Sequence, residues 1–373
     1  MRVLVTGCCG FIGYHVCKGL LESRVIEGQP QYKVLGVDCS TGLDYQRVSR
    51  YSDPTEQTLR WDRLELLKGA SGEFDYLDLD LTASYPDVYH LFKNWSPEAL
   101  IHLAAVPTPR GFPPEVYLTN NVIAHLNVLK AASTFVSTRQ IPIVYASSCA
   151  VYGENLCASP DNYRMPLSAY GVSKVINEYF AYTHALEMGM RLTGLRLFNV
   201  YGPWDRSMSA ISLFARALLE GKPITLYVPY SLGRDGSKNS NPASWFAEDP
   251  DEFIRDYVFI YDVVRAFLWC LEHPPASFGH SLRNVGTGVR TKVADLPWLL
   301  AKALGISYQK VKVEKEKGPG GEPTWIVARP DSCSWGMDIQ SSQRWVPKVG
   351  LEEGIGRFAA WFKGYYRLFN TEG

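Results

Sequence analysis

The sequence has no excess of charge of either sign. Lys and Arg together number 38, as do Asp and Glu, so the formal net charge is zero. Without a long basic stripe, the chain lacks the surface with which proteins grip nucleic acid independently of base sequence. No apolar run approaches the roughly 20 residues that a membrane-spanning helix needs. These features indicate that nucleic acid and membrane are not partners of the chain, and they favour action on small molecules.

Paired cysteine motifs are also lacking. The eight cysteines show neither CxxC spacing nor the density of a secreted disulfide scaffold, so we expect a reducing compartment. The first strand is expected to begin at Met1, which leaves no room for a cleavable signal and predicts a cytoplasmic protein. Cys8 and Cys9 could be metal ligands or redox thiols, but adjacent cysteines in a tight glycine turn are better interpreted as small apolar fillers. The seven histidines show no HExxH or similar ligand spacing, so no metal site is predicted.

Short apolar runs alternate with segments of helical periodicity along the first half of the chain. The predicted strands are RVLVT, VLGVD, FDYLDLD, ALIHLAA, IPIVYASS and RLTGLRLF, and EVYLTNNVIAHLNVLKAAS is a predicted helix. This alternation predicts an α/β fold with a Rossmann-type, doubly wound parallel sheet, whose ligands bind at the carboxyl ends of the strands.

The chain of 373 residues, 46% of them hydrophobic, is long enough for one large or two modest domains. We expect residues 1–200 to form the dinucleotide-binding domain, with 255–275 returning to its main sheet as a strand and helix. A smaller, interleaved substrate-binding lobe is expected from 201–254 and 276–373. Within it, the polar stretch from 229 to 254 is typical of an exposed excursion.

A glycine triplet follows the first predicted strand. Gly7, Gly10 and Gly13 stand where backbone amides and a helix N-terminus meet a pyrophosphate in dinucleotide-binding proteins. Asp38 ends the second predicted strand, where a carboxylate accepts hydrogen bonds from the adenosine ribose and repels a 2′-phosphate. Because no arginine follows immediately in CSTG, the charge favours NAD over NADP. Asp80, after the third strand, is predicted to meet the adenine edge, and Asp78 competes for this role.

Tyr170 and Lys174 are four residues apart, so one helical turn places them side by side. The same spacing recurs at Tyr14/Lys18 and Tyr89/Lys93, and the pair therefore acquires meaning only beside a cofactor loop. A lysine ammonium and a cationic nicotinamide ring would both lower the pKa of the Tyr170 phenol, which could then act as a base near neutral pH.

Ser148 ends a predicted strand and would share a substrate oxygen with Tyr170. Its hydroxyl could stabilise carbonyl or alkoxide character as hydride leaves the adjacent carbon. The alternative interpretation is that these hydroxyl groups only satisfy backbone groups at the ends of the strand and the helix.

Several motifs together resemble the extended short-chain dehydrogenase/reductase family of enzymes that modify nucleotide sugars. They are GCCGFIG, HLAA, SSCAVYG, YGVSK and RLFNVYGP, and the resemblance covers nearly the whole chain. Within this family, the LDYQRVSRYSDPTEQTLRWDRLELLK and GPWDRSMSAISLFARALLEGKPI segments are most similar to UDP-glucuronate 4-epimerases.

The resemblance implies roles for individual residues. The implied catalytic set is Ser148, Tyr170 and Lys174. The implied substrate set, facing sugar or diphosphate, is Ser148, Tyr170, Asn199, Arg206 and Arg255. Besides Tyr170 and Lys174, the implied NAD set is Gly7, Gly10, Phe11, Ile12, Gly13, Asp38, Asp80, Leu81, Leu103, Ala104, Ala105 and Asn120.

Some positions depart from the patterns of related enzymes. Dehydratases and decarboxylases of the family carry carboxylic acids just after the catalytic hydroxyl, whereas Cys149 and Ala150 stand there and cannot exchange a proton in the same way. Glucuronate epimerases usually have Thr where this chain has Asn199, and neutral-hexose epimerases have Asn. The VPTPRG loop after HLAA departs from the family pattern, although Arg110 could supply the arginine of that loop. The arginine that neutral-sugar epimerases carry in a C-terminal loop has no clear counterpart in this chain, and Lys317 is the nearest cation.

The activity that the resemblance implies is 4-epimerisation of a UDP-hexuronate through a transient 4-ketose, with tightly bound NAD and a homodimer formed through the long helices. Three alternatives remain open: a 4-epimerase of a neutral UDP-hexose or its N-acetyl derivative, a nucleotide-sugar reductase or oxidase, and a non-catalytic NAD sensor.

Overall fold

The structure is a computed structural model. It describes residues 1–23, 32–39, 54–70, 73–108, 111–136, 141–153, 155–162, 164–228, 253–275, 279–317, 325–328, 333 and 345–370. Of the excursion predicted at 229–254, only residues 253 and 254 are described. Arg110 also lies outside the described residues.

The strands are, in chain order, β1 (Arg2–Thr6), β2 (Lys33–Asp38), β3 (Glu73–Asp78), β4 (Ala99–His102), β5 (Pro142–Ser148), β6 (Asn155–Ala158), β7 (Arg191–Leu197), β8 (Asn199–Tyr201), β9 (Ile224–Val228), β10 (Ile254–Arg255), β11 (Tyr257–Phe259), β12 (Gly279–Val285), β13 (Thr291–Lys292), β14 (Val313–Lys317) and β15 (Trp325–Ala328).

The α-helices are, in chain order, α1 (Phe11–Glu22), α2 (Pro54–Lys68), α3 (Tyr85–Trp95), α4 (Pro114–Tyr117), α5 (Ala124–Val136), α6 (Ala169–Met188), α7 (Ala210–Glu220), α8 (Ile260–Glu272), α9 (Leu296–Leu304) and α10 (Leu351–Asn370). Among the described residues, no helix combines the length and the apolar character that crossing a bilayer requires.

The described chain divides into two compact units. The first comprises Met1–Val151, Ser168–Leu197 and Val263–Val285, and the second comprises Tyr152–Leu167, Phe198–Asp262 and Gly286–Gly373. The first unit contains a seven-stranded sheet in the order β12-β7-β5-β4-β1-β2-β3, with all neighbours parallel. The predicted Rossmann-type α/β fold and the six predicted strands are confirmed.

The strand order reverses between β1 and β4, and in sheets of this kind the ligand crevice opens at such a reversal. Val3, Leu4 and Val5 of β1 are fully buried, as the continuous apolar run RVLVT predicts for a strand covered on both faces. The carboxyl ends of β1, β2 and β4 therefore bring Thr6, Asp38 and His102 to one edge of the sheet.

The second unit contains smaller sheets. One has the order β13-β10-β15-β6, and two strand pairs join β11 to β8 and β14 to β9. α7 ends where the sequence predicts, with Gly221 as a left-handed C-cap at φ +66°.

Of the segment 255–275 that is predicted to return to the dinucleotide-binding domain, residues 263–275 belong to the first unit, but the strand within the segment does not join the main sheet. β11 pairs with β8 in the second unit, and it is β12 that joins the main sheet beside β7. The compact units also place 152–167 in the second unit, because β6 pairs with β15 there. The assignment of the units to dinucleotide and substrate binding remains a prediction.

Candidate active site

Tyr170 and Lys174 lie on one face of α6, near its N-terminus. The helix starts after Ser168, whose Oγ accepts a hydrogen bond from the Gly171 amide at 3.1 Å and so caps the first turn. The Lys174 Nζ lies 5.8 Å from the centroid of the Tyr170 ring and donates to the Ala146 carbonyl at 3.0 Å. Both side chains are buried, with 8% of Tyr170 and 4% of Lys174 exposed.

Ser148 is the last residue of β5, two residues beyond the Ala146 carbonyl that holds Lys174. Its Oγ accepts a hydrogen bond from the Ala150 amide at 3.2 Å, which leaves the hydroxyl proton available for another acceptor. The structure thus places Tyr170 and Lys174 side by side on α6 and bonds Lys174 to β5 two residues before Ser148, all within the first unit.

Burial lowers the pKa of the Lys174 ammonium to about 8, and the negative charge of Glu178 opposes this shift. Burial and the Lys174 ammonium lower the pKa of His102 to about 3, so this imidazole is neutral near pH 7. The Lys174 side chain, which lies close to the Tyr170 ring, is therefore only weakly hydrated.

The glycine loop fits a dinucleotide pyrophosphate. Gly7 has φ +75°, and a Cβ added there would lie 2.7 Å from the Ala104 backbone nitrogen. A Cβ on Gly13 would collide with the Gly7 carbonyl, so α1 packs directly on the loop. Gly10 caps α1 without a side chain, and the first-turn amides of Phe11 and Ile12 have no partner within the helix. These amides can bind an anion.

Asp38 ends β2, beside the glycine loop. Its Oδ2 accepts from the Cys9 amide at 2.8 Å, and its Oδ1 accepts from the Cys39 amide at 2.9 Å. Arg60 of α2 also donates to Oδ1, at 2.7 Å. Arg60 was not predicted from the sequence, because it stands 22 residues after Asp38, on a separate helix.

The predicted adenine-side residues lie in turns that follow β3 and β4. The Asp80 Oδ1 accepts from the Thr82 amide at 2.8 Å, and Leu81 is buried in the core below. Asp78 is the final residue of β3. Leu103 and Ala104 are the backbone neighbours of Gly7, and their amides donate to the Thr6 hydroxyl; Ala105 follows them directly.

Asn120 and Asn121 lie in a π-helical turn, Leu118–Ile123, that interrupts the predicted helix between α4 and α5. Asn120 donates to the Val116 carbonyl at 2.9 Å. Asn121 is buried and bonds both backbone groups of Val106 as well as the Ser173 hydroxyl on α6. Asn121 therefore connects this wider turn to α6. It was not predicted as a site residue from the sequence.

The predicted substrate residues Asn199, Arg206 and Arg255 all belong to the second unit. Asn199 starts β8, and its amide donates to the Asp256 carbonyl at 3.0 Å. Arg255 is 6% exposed, bonds the Ile254 carbonyl at 2.9 Å, and stacks over Phe253 with its Cζ 3.9 Å from the ring centroid.

Arg206 follows Asp205, whose Oδ1 accepts from the Arg206 amide at 2.7 Å. Trp204 precedes this pair with φ +64°, a conformation uncommon outside glycine. It packs against Trp361 and Tyr365 of α10, with ring centroids 5.3 and 5.0 Å away. α10 therefore supports the loop that carries Arg206.

Cys8, Cys9 and Asp38 have potential ligand atoms within 4.8 Å of one another. The Asp38 carboxylate is already engaged by the Arg60 cation, which disfavours a second cation beside it. Burial also raises the pKa of the Cys8 thiol well above its usual value, so it remains protonated. These observations support the interpretation of the cysteine pair as an apolar filling of the turn.

Comparison with known proteins agrees with this geometry. A model of the NAD dependent epimerase/dehydratase family matches residues 3–286. UDP-glucuronate 4-epimerase 5 from Arabidopsis thaliana is 30% identical over 98% of this chain and 76% of its own length.

Two solved structures are similar over nearly their whole length. UDP-glucuronic acid 4-epimerase from Bacillus cereus, in complex with UDP-glucuronic acid and NAD, has a TM-score of 0.76 and 26% identity and covers 98% of this chain and 100% of its own. The NAD complex of UDP-glucose 4-epimerase from Thermus thermophilus has a TM-score of 0.73 and 25% identity, covering 98% and 99%. The chain described here belongs to the NAD dependent epimerase/dehydratase family.

Proposed function

We propose that the protein is a nucleotide-sugar 4-epimerase that holds NAD tightly and interconverts UDP-glucuronate and UDP-galacturonate. The observation that carries the proposal is the adjacency of Tyr170 and Lys174 on α6, with Lys174 bonded to β5 two residues before Ser148. The glucuronate epimerases among the relatives support the choice of substrate.

The chain supplies the residues that such a reaction needs. NAD, held by the residues given below, would supply the acceptor for the C4 hydride and the donor that returns it to the opposite face of the sugar. Tyr170 takes the proton of the 4-hydroxyl and later gives it back, with Lys174 stabilising the phenolate. Ser148 donates a hydrogen bond to the same oxygen as it gains carbonyl character. The net reaction inverts one carbon and consumes no reductant.

Cofactor binding would use the groups at the ends of the first strands. The amides after Gly10 would hold the pyrophosphate, Asp38 the adenosine ribose, and the backbone of Leu103 to Ala105 one wall of the site. Asp80 and Leu81 would lie at the adenine, and Asn120 would complete the set, since the amide of the neighbouring Asn121 is already bonded to Val106 and Ser173.

Sugar and diphosphate recognition is assigned to Asn199, Arg206 and Arg255. Two guanidinium groups suit a diphosphate or a carboxylate because each can donate two parallel hydrogen bonds. Asn199 is the feature that favours the second candidate, a 4-epimerase of a neutral UDP-hexose such as the similar UDP-glucose 4-epimerase. Elimination chemistry is disfavoured, because Cys149 and Ala150 offer no carboxylic acid beside Ser148.

We also propose a homodimer that forms through α6. An exposed apolar stripe runs along this helix at helical spacing and consists of Val172, Tyr179, Tyr182 and Leu186. The exposed fraction is 57% for Tyr179 and 60% for Leu186. Leu186→Glu should convert the dimer to a monomer in light scattering, whereas Leu66→Glu, at an exposed position on α2, should not. A wild-type protein that is monomeric at all concentrations would contradict this assembly.

A cytoplasmic, reducing location remains part of the proposal. The described cysteines whose side chains are placed are free thiols: Cys8, Cys9, Cys17, Cys39, Cys149, Cys270 and Cys333. Proteins that fold in oxidising compartments commonly pair such thiols. Fractionation of the source cells would test the location directly.

One experiment tests the reaction and the substrate together. The purified protein is incubated without added cofactor with UDP-glucuronate, UDP-galacturonate, UDP-galactose and UDP-N-acetylglucosamine, and anomeric proton signals are followed by NMR. The expected result is a new 4-epimer from the two uronates. Conversion of the neutral sugars alone would favour the second candidate, and conversion of none would contradict the epimerase assignment.

The amount of NAD released when the same preparation is denatured distinguishes an epimerase from a nucleotide-sugar reductase or oxidase. An epimerase that regenerates its cofactor in every cycle should release about one NAD per chain on denaturation. A reductase or oxidase exchanges its cofactor and should release little. The NAD content therefore separates the two classes without any assay of turnover.

A further inference from the structure

Beyond the three catalytic side chains, α6 carries a buried carboxylate one turn after Lys174. The Glu178 Oε2 accepts from the Arg196 Nη2 at 2.7 Å, and Oε1 accepts from the Arg196 Nε at 2.8 Å. Glu178 is 1% exposed and Arg196 is fully buried. This is a bidentate ion pair in the interior of the first unit, where a charge pair is costly to desolvate and adds little net stability.

The pair is connected to the catalytic strand. The Ser147 hydroxyl donates to Glu178 Oε1 at 2.6 Å, the preceding Ala146 carbonyl accepts from the Lys174 ammonium, and the next residue is Ser148. Two consecutive residues of β5, Ala146 and Ser147, therefore bond to Lys174 and Glu178 on α6, and Ser148 follows them at the strand end. Fixing Ser147 and Ala146 also fixes the strand end from which the Ser148 hydroxyl projects.

We propose that the Glu178–Arg196 pair is a positioning and charge-setting device for the catalytic lysine: its carboxylate keeps the buried Lys174 side chain an ammonium and holds β5 in register with α6. The inference rests on the proposed function insofar as Lys174 is catalytic. It assigns Glu178 and Arg196 no contact with the substrate or the cofactor.

The electrostatic surroundings of Lys174 support this role. Among the described residues, the charged and titratable groups that interact with the Lys174 ammonium or with Glu178 include Tyr170 on α6, Arg196 on β7, His102 on β4 and His125 on α5. Burial lowers the pKa of both histidines, so they are neutral near pH 7 and add no positive charge beside the lysine. Glu178 is the group whose charge raises the pKa of Lys174 against the effect of burial.

The test measures the charge state of Lys174 directly, by carbon-13 NMR of Cε-labelled lysine during a pH titration of the purified protein, with the Lys174→Met variant identifying the signal. Removing the carboxylate in Glu178→Gln leaves Arg196 as an uncompensated cation, so the pKa of Lys174 should fall by about one unit or more. Removing both charges in Glu178→Gln/Arg196→Gln should recover part of this fall. We therefore expect the pKa of Lys174 to be lowest in Glu178→Gln, intermediate in the double variant and highest in the wild-type protein.

Ser147→Ala is the matched control, because it removes a hydrogen bond to the same carboxylate and leaves both charges in place. It should leave the pKa of Lys174 close to the wild-type value. A shift in Ser147→Ala as large as that in Glu178→Gln would show that strand position, and not the charge of Glu178, sets the pKa of Lys174, and would overturn the charge-setting role proposed for the pair. Equal pKa values in Glu178→Gln and wild type would overturn it as well.

Glu178→Gln leaves a buried arginine unpaired, which is strongly destabilising and can prevent folding. In that case the double variant carries the test alone, and a Lys174 pKa equal to wild type would refute the inference. The alkaline limb of the pH profile for epimerisation should shift in the same order as the lysine. Absence of epimerisation in wild type would refute the proposed function only, since the NMR order is independent of turnover.

Discussion

The Arg60 guanidinium lies 2.7 Å from Asp38 Oδ1, at the end of β2 where a dinucleotide's adenosine ribose is expected. The carboxylate alone would repel a 2′-phosphate, but a guanidinium beside it offsets part of that repulsion. Preference between NAD and NADP therefore depends on two residues that are distant in sequence, and each can be altered separately.

Asp38→Asn should raise the share of NADP that the protein binds, because it removes the repelling charge and leaves Arg60 available to the phosphate. Arg60→Gln should have the opposite effect. We expect a change in the NADP-to-NAD ratio of about tenfold, equivalent to roughly 1.4 kcal/mol. The ratio is measured by incubation with an equimolar mixture, gel filtration, and quantification of the dinucleotides released on denaturation.

Lys68→Gln serves as the control for these variants, since Lys68 is on the same helix as Arg60 but pairs with Glu65 at the surface. It should leave the ratio unchanged. An unchanged ratio in Asp38→Asn would place the adenosine ribose away from this carboxylate.

Tyr170→Phe should reduce the rate of epimerisation by about 10²–10⁴-fold, because a general acid–base group contributes on that order. NAD content and the far-UV circular dichroism spectrum should remain those of wild type, since the ring packing against Tyr117 is kept. Tyr89→Phe is a suitable control, because Tyr89 also precedes a lysine by four residues on a helix. Near-normal turnover in Tyr170→Phe would refute the assignment of this phenol as the base.

The strand ends and the glycine loop were predictable from sequence because their signals are local. An apolar run followed at once by Gly7, Gly10 and Gly13 encodes both the strand and the turn. The Tyr170–Lys174 spacing needs only the period of a helix. In each case, neighbouring residues determine the structure, and no distant segment is required.

Other features depend on packing between distant segments and left no such signal. Arg60 and Arg196 reach Asp38 and Glu178 from separate elements, and an arginine in a helix or strand pattern indicates nothing about its partner. The π-helical turn at Leu118–Ile123 contains two adjacent asparagines, of which Asn121 is buried, and the sequence carries no local signal for such a turn. The pairing of β12 with β7 likewise arises only when the sheet assembles.

Acidification below about pH 6.5 should destabilise the first unit through His102. Burial and the Lys174 ammonium lower the pKa of this imidazole in the folded state, whereas in the unfolded chain it titrates near pH 6.5. Between the unfolded value and about pH 3, the unfolded chain binds one more proton, so the free energy of unfolding falls as the pH falls.

The slope that one such group contributes is about 1.4 kcal/mol per pH unit. Urea unfolding measured at several values between about pH 6.5 and about pH 4.5 should show this slope, and His102→Gln should reduce it by that amount. His90→Gln, at an exposed position on α3, should leave the slope unchanged. An equal slope in wild type and His102→Gln would show that folding does not lower the pKa of His102, and would contradict the prediction.

Trp361→Ala should raise the KM for the UDP-sugar more than it lowers kcat. Trp361 packs against Trp204, which adopts a left-handed conformation two residues before Arg206, so loss of the indole removes the support of the loop. Aromatic contacts of this kind contribute about 0.5–1.5 kcal/mol, which corresponds to an increase in KM of roughly 2–12-fold.

NAD content in Trp361→Ala should equal that of wild type, because the glycine loop and Asp38 belong to the other compact unit. Trp298→Ala removes a 40% exposed indole from α9 and should leave KM unchanged. A fall in kcat at constant KM would indicate instead that Trp204 and its loop act on the chemical step, and not on substrate binding.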